Sequence, residues 1–369
     1  MRIVADSNMV GVEELFGALG SVALYPGREL RAEHVRDADI LLVRSVTSVG
    51  ASLLDGSAVS FVGTATSGFD HVDVDYLAAQ GVGFAHAPGS NANSVLEYVI
   101  SAIASCDDYL EQLCAGGTVG IVGFGVIGKR LAARLNTMGI ACCAYDPWLE
   151  RGSDQRLVDL DQVLNCTVIC VHAELTRREP WPSYHLLDAE ALQRISLHSL
   201  LINAGRGPIV DNNALKQLLS EQPQRRVILD VWEHEPTIDV ELMQRCFFAT
   251  PHIAGYSYDG KVLATRMLRD SACRALGLTI PDASSGQLES LSLEVPANLF
   301  KAQLIRWLQA NSYSVRSDDE RMRLNAGADF DQQRSDYPRR RELASLSIVN
   351  AKQLDAEQLA LCQALGIQC

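Results

Sequence analysis

Over residues 1–90, short apolar runs alternate with stretches in which apolar positions recur at helical spacing. RIVAD, ILLVRS, VSFVGTAT and VGFAHAP read as strands, VEELFGALG and the region of VDVDYLAAQG as helices. That rhythm predicts an open, mostly parallel sheet with helices on its faces. Val95, Val99 and Ile103 hold helical spacing between Asn93 and Cys114, which predicts one long helix bridging two domains. A second alternating series starts at Thr118: TVGIVGFG, a helix over GKRLAARLNTMG, IACCAYD, TVICVHA, SLLINAG, a helix over NALKQLLS, and RVILDVW. Its strands lack polar alternation, as a sheet covered on both faces requires. After HIAGYSYDG a helix runs through KVLATRMLRDSACRALG, and PDASSG then reads as a linker. Beyond Gly286, strand-like LESLSLEV and LASLSIV flank a helix near NLFKAQLIRWLQA and the basic run RSDYPRRRE, and a further helix ends the chain. A small α+β domain is expected there.

Composition narrows the class. A chain of 369 residues suits two or three domains, and its 47% hydrophobic content is that of a folded protein. A net charge of −13 argues against nucleic acid or an anionic membrane surface as partner, so an anionic ligand needs a local basic pocket. MRIVADSNMV lacks the features of a signal peptide, and no apolar run approaches the ~18 residues of a membrane span. A cytoplasmic location is the expectation. The ten cysteines include no C-x-x-C pair and sit in runs such as IACCAY and NCTVICV, so they are expected to be free, buried thiols rather than metal ligands.

Gly123, Gly125 and Gly128 spell G-x-G-x-x-G between the strand TVGIV and a helix. The first permits a tight turn, the second lets backbone approach a pyrophosphate, and the third lets helix pack on strand. Free N–H groups at the helix start then face the phosphates. Asp146 ends the following strand, where a carboxylate accepts hydrogen bonds from ribose hydroxyls and repels a 2′-phosphate. Pro147 and Trp148 add no cation, so NAD is expected over NADP.

Three motifs lie at the ends of later strands, where open α/β sheets hold ligands: INAGRG with Arg206, LDVWEHEP with Glu235, and ATPHIAG with His252. Oxidising an alcohol needs a base for the hydroxyl proton, and histidine titrates near neutrality. A carboxylate orients the ring and balances its charge; an arginine holds a substrate carboxylate and polarises the developing carbonyl. Each residue alone has an ordinary explanation as a loop, cap or surface side chain. Their joint occurrence behind a dinucleotide motif favours the chemical one. Asp230, ending VILD, is a candidate for the nicotinamide carboxamide.

On these motifs the chain resembles the D-2-hydroxyacid dehydrogenase family over roughly residues 1–280. The resemblance implies two doubly wound parallel-sheet domains, a Rossmann-type NAD domain and a flavodoxin-like substrate domain, plus the small C-terminal α+β domain. The implied boundaries are 1–92 completed by 253–285 for the substrate domain, 93–252 for the NAD domain, and 286–369 for a dimerisation domain. NAD would lie in the cleft between the first two, with hinges near Asn93 and Gly255. By residue, the resemblance implies Arg206 as substrate anchor, Glu235 as the histidine's partner and His252 as general acid/base. It implies cofactor contacts from Gly123, Gly125, Val126, Ile127, Gly128, Asp146, Ala173, Ala204, Gly205, Asp230 and Gly255. RIVADSNM, LLVRSVTSV, FVGTATSGFDHVD, APGSNANSVLEYV and FDQQRSDYPRRRELASLSI resemble a branch of the family whose members pair through the third domain. A homodimer acting on a phosphorylated sugar acid is implied, with Ser45, Thr66 and Tyr256 contacting substrate. Some cation must meet the phosphate: Arg44 is the first candidate and the run Arg339–Arg341 a second. The chain departs from the family at Ala173-Glu174-Leu175, where Thr-Pro-Leu is usual, and so loses a threonine hydroxyl beside the cofactor. Two rivals stay open, a 3-phosphoglycerate or D-lactate type of dehydrogenase and a non-catalytic NAD-sensing regulator. An intact Arg–Glu–His set speaks against the second.

Overall fold

A computed structural model describes residues 1–281, 291–299, 301–325 and 327–369. Most of the linker PDASSG and the expected boundary at residue 286 lie outside the described residues. The chain divides into two compact units, Met1–Asn93 with Tyr256–Leu288, and Ser94–Gly255 with Glu289–Cys369.

The first unit is a five-stranded parallel sheet of β1 (Arg2–Asp6), β2 (Ser21–Tyr25), β3 (Ile40–Val43), β4 (Phe61–Thr64) and β5 (Gly83–His86), in the order β2-β1-β3-β4-β5. Alternate residues feed two cores. Val4, Leu41, Val43 and Val62 pack on one face, and Ile3, Ala5, Ile40, Leu42 and Phe61 on the other. The second face is closed by the returning helix Tyr258–Ala275 through Leu268 and Ala272. Leu268 is fully buried, a contribution of about 1.5–3 kcal/mol, and this helix joins the two chain segments of the unit. The hydrophobic pattern does not reveal β2. It is an edge strand with Ser21 and Leu24 exposed on opposite faces and its other residues only half-buried, so neither face carries a full burial signal.

The second unit holds β6 (Thr118–Val122), β7 (Ala141–Tyr145), β8 (Val168–Val171), β9 (Leu200–Asn203), β10 (Arg226–Leu229) and the two-residue β11 (Phe248–Ala249). Their order, β11-β10-β9-β8-β6-β7, is parallel throughout and reverses direction at β6. Strands β8, β9 and β10 are almost wholly buried, as their unbroken apolar sequence requires. The expected 93–114 helix is in fact two, Ala92–Ser105 and Tyr109–Cys114. Asp107 takes a left-handed φ of 40° at the break, and its exposed side chain and carbonyl meet Arg226 Nε (2.6 Å) and Arg306 Nη2 (3.0 Å). Buried Cys106, Tyr109, Leu110 and Leu113 continue the apolar pattern across the break, which hides it in the sequence.

The C-terminal segment of this unit carries a small sheet of β12 (Leu291–Leu293) and β13 (Leu346–Ile348) with helices Lys301–Ala310, Val315–Leu324, Phe330–Ser335 and Ala356–Ala364. VRSDDERMRL, the second of these helices, is too polar to announce itself. Its two aspartates are nonetheless buried and partnered: Asp318 Oδ2 accepts from the hydroxyls of Tyr313 (2.8 Å) and Tyr337 (2.7 Å), and Asp319 Oδ1 from the amide of Ala249 (2.7 Å). Among the described residues no helix is long and apolar enough to cross a membrane. All ten cysteines are free.

Candidate active site

The reversal of strand order at β6 places the glycine turn at the switch point of the sheet, at the carboxyl ends of the strands. Gly123 has φ 93°, and a Cβ there would lie 2.4 Å from the backbone of Ala173. A Cβ on Gly128 would meet the Gly123 carbonyl at 2.2 Å. Gly125 is different: a Cβ would project into open space, at the N-terminus of the helix Val126–Thr137, whose first turn has no side-chain cap. An open cradle of uncapped amides suits a pyrophosphate. Asp146, just past β7, is held by the amides of Phe124 (2.9 Å) and Trp148 (3.1 Å), so its carboxylate is anchored beside the same turn. These residues fit a dinucleotide. Ala173, Ala204 and Gly205 follow β8 and β9, and a Cβ on Gly205 would touch the backbone between Val171 and Ala173.

Asp230 is buried at the end of β10 and organises the histidine loop. Oδ1 accepts from Thr250 Oγ1 (2.7 Å) and the Ile253 amide (2.8 Å), Oδ2 from the Ala254 amide (2.9 Å), and its own carbonyl from the His252 amide (2.7 Å). Burial pushes this carboxyl up, against the opposing pull of His252 and those donors. His252 is thereby held at φ 56°, a left-handed conformation uncommon for residues other than glycine.

His252 Nδ1 lies 2.7 Å from Glu235 Oε2, and Glu235 Oε1 accepts from the Trp232 amide at 2.8 Å. Burial raises the Glu235 carboxyl, but the His252 charge, its hydrogen bond and the Trp232 amide outweigh this and leave it below the ordinary range. Glu235 is therefore a carboxylate at neutral pH. Its contribution to stability is present above the unfolded value of ~4.3 and lost as pH falls through the lower folded one. A carboxylate at Nδ1 selects the tautomer with its proton there, leaving the Nε2 lone pair to take a proton.

Arg206 follows β9 in a turn shaped by fully buried Asn203, which accepts from the Gly205 amide (3.2 Å) and donates to the Arg206 carbonyl (3.1 Å). A Cβ on Gly207 would lie 2.0 Å from the Trp232 carbonyl group, so the Arg206 turn packs directly on the backbone leading to Glu235. Further residues lock these loops. Asn212 and buried Glu233 exchange backbone-to-side-chain bonds of 3.0 and 3.1 Å, and His185 lies between Glu233 (Nε2–Oε1 2.7 Å) and Asp211 (Nδ1–Oδ2 3.6 Å). His185, Asp211 and Glu233 are close enough to be weighed as metal ligands. The carboxylates face opposite ring nitrogens, however, so one ion would have to share a single nitrogen with both. Asn203, Asn212 and Glu233 escape sequence reasoning, although each lies inside or beside a motif that names a neighbour.

Of the other histidines, His71 Nε2 meets Thr64 Oγ1 (2.8 Å) and His86 Nδ1 meets the Ser67 carbonyl (2.8 Å). Burial pushes the His172 imidazole down to about 4, so it is neutral. In the first unit, Arg44 and Ser45 follow β3, and Thr66 follows β4. Val43 pairs with Thr64, so these loops leave one sheet edge together. Arg44 Nη2 donates to Tyr256 Oη at 3.4 Å, and Thr66 Oγ1 donates to the Gly68 carbonyl at 2.6 Å. Gly255 ends the first segment of the second unit. Of the basic run, Arg340 is buried against main-chain carbonyls.

Residues 100–254 match the NAD binding domain of the D-isomer specific 2-hydroxyacid dehydrogenases, and residues 285–366 match a domain of unknown function, DUF3410. The chain is 41% identical to the erythronate-4-phosphate dehydrogenase of Cellvibrio japonicus, covering all of both chains. To that of Chromohalobacter salexigens it is 42% identical, over 94% of each. Among solved structures, D-lactate dehydrogenase from Aquifex aeolicus, complexed with NAD and lactic acid, aligns with TM-score 0.61 at 21% identity, over 75% of this chain and 96% of that one. NAD-bound 3-phosphoglycerate dehydrogenase from Entamoeba histolytica aligns with TM-score 0.63 at 22% identity, over 77% and 98%. These structural likenesses establish the fold.

Proposed function

We propose, for a chain that belongs to the D-2-hydroxyacid dehydrogenases and within them to the erythronate-4-phosphate dehydrogenases, that it oxidises 4-phospho-D-erythronate to 3-hydroxy-2-oxo-4-phosphooxybutanoate with NAD, in pyridoxal 5′-phosphate biosynthesis. The observation that carries the mechanism is the 2.7 Å contact of His252 Nδ1, on a loop fixed by Asp230, with Glu235, whose own backbone approach packs on the Arg206 turn. NAD, held by Gly123, Gly125, Val126, Ile127, Gly128, Asp146, Ala173, Ala204, Gly205, Asp230 and Gly255, supplies the hydride acceptor. His252 Nε2 takes the proton of the 2-hydroxyl. Glu235 keeps the ring in its tautomer and balances the imidazolium that forms. Arg206 meets the substrate carboxylate with charge-assisted hydrogen bonds and polarises the emerging carbonyl. Ser45, Thr66 and Tyr256 contact the substrate, and Arg44 receives its phosphate.

The direct test is NADH formation from 4-phospho-D-erythronate, with 3-phosphoglycerate and D-lactate alongside. Turnover confined to the erythronate is expected; preference for either alternative overturns the substrate assignment. For Arg44→Ala, KM for the phosphorylated acid should rise by on the order of 10²-fold, the worth of a charge-assisted contact, while that for unphosphorylated erythronate changes little. Equal losses on both would remove the phosphate role.

A homodimer formed through the C-terminal domain belongs to the same proposal. Among the described residues the three most exposed large apolar side chains, Leu291 (51%), Leu324 (84%) and Val349 (63%), all lie there, as an interface requires. Light scattering should return twice the 40.2 kDa chain mass. Leu324→Asp should shift the particle toward that of one chain, and a native monomer would sink the idea. A cytoplasmic setting is consistent with ten free thiols.

A further inference from the structure

We propose that Arg340, in the region whose family match is a domain of unknown function, is a positioning residue for the His252 loop, so that the C-terminal domain shapes the reaction centre as well as its own fold. Its guanidinium is buried in the second unit. Nη1 donates to the carbonyl of Ala254 (3.2 Å) and Nη2 to that of Ser94 (2.7 Å), while the planar group stacks 3.6 Å above the Tyr313 ring. Tyr313 is held in turn by Asp318 (2.8 Å). Glu97 Oε2 lies 3.9 Å from Nη2 in a carboxyl that burial pushes up to about 8 against the pull of Arg340, and Glu97 Oε1 accepts from the Leu343 amide (2.7 Å), which ties the same helix to the chain just after Arg340.

These contacts have a direction. Ala254 is two residues from His252, and its amide is already bound by Asp230, so Asp230 and Arg340 grip one peptide segment from opposite sides. Ser94 Oγ adds a second bond to the Ala254 carbonyl (2.8 Å). At the other end of the loop, Asp319 of the C-terminal domain accepts the Ala249 amide. The segment from Ala249 to Ala254, with His252 at its strained φ of 56°, is therefore fastened at both ends by C-terminal side chains. A left-handed histidine persists only where its surroundings over-determine it, and these bonds provide that constraint. Ser94 and Gly255 also bound the first segment of this unit, so one guanidinium holds the two ends of that segment together. A lysine, with a single point charge, cannot reproduce a two-pronged grip on two carbonyls.

The test compares native enzyme with Arg340→Met and Arg340→Lys, the kinetic part resting on the function proposed above. In Arg340→Met, kcat should fall by on the order of 10²-fold, the cost of misplacing a reacting group by about 1 Å, while KM for substrate and Kd for NAD stay within a few-fold. Amide hydrogen exchange at Ile253 and Ala254 should become about tenfold faster, with amides of the glycine turn unchanged. Arg340→Lys should lie between the two on both measures, and it decides the matter if the methionine variant does not fold. Unchanged kcat, unchanged exchange at 253–254, or a uniform loss in which NAD binding declines as much as kcat overturns the proposal. Should native enzyme fail to oxidise the phosphorylated acid, the substrate assignment falls, and the exchange comparison still decides the role of Arg340.

Discussion

His252→Ala should lower kcat for oxidation of the phosphorylated acid by about 10³-fold while leaving NAD affinity within a few-fold, because a positioned acid/base contributes 10²–10⁴-fold. Two features of the structure make the effect large. The Glu235 carboxylate presets the tautomer through a 2.7 Å contact, and Asp230 engages both its oxygens with amides and a hydroxyl of the same loop, so neither of these carboxylates is placed to replace the imidazole. Glu235→Gln should reduce kcat in the same direction by a smaller factor, since the amide preserves shape but leaves the imidazolium without its counter-charge. Steady-state kinetics with NAD binding measured separately checks both. A His252→Ala enzyme retaining more than about a tenth of native kcat would show that another group takes the proton.

Gly125→Ala and Gly123→Ala should part company, though the residues are two apart. At Gly125 φ is −76° and a methyl group meets nothing within 4 Å, so the fold should keep its stability to within about 0.5 kcal/mol. The methyl would occupy the space offered to the pyrophosphate, and Kd for NAD should rise by about tenfold or more. At Gly123 the methyl is driven to 2.4 Å from Ala173 and φ is 93°, so the protein itself should lose about 3 kcal/mol. Chemical denaturation and NAD titration of the two variants separate these effects. Equal NAD affinity in native and Gly125→Ala protein would mean that the pyrophosphate does not lie over that turn.

The double-wound architecture was legible because β3, β4, β8, β9 and β10 are buried on both faces and carry unbroken apolar runs that punctuation by Gly, Pro and Asn marks off. Elements whose burial is partial or polar were not. Edge strand β2 buries too little to show a pattern, and the helix Val315–Leu324 buries acids whose partners, Tyr313, Tyr337 and the Ala249 amide, come from elsewhere in the chain. The break at Asp107 was invisible because the apolar spacing runs through it, and the arginines that meet Asp107 are distant in sequence.

For the site, sequence alone determined residue types and their order: a glycine turn followed by an acid, then Arg206, Glu235 and His252, each just past a strand end. This much follows from local chemistry, since φ > 0, helix N-termini and strand boundaries are properties of neighbouring residues. Only the tertiary structure decided which oxygen of Glu235 meets which nitrogen of His252, that Asp230 also holds the histidine loop, and that Arg340 reaches the same loop from 86 residues away. Such contacts depend on where the sheet and the C-terminal helices bring distant backbone together, and no periodicity of apolar positions encodes the partner of a buried polar group.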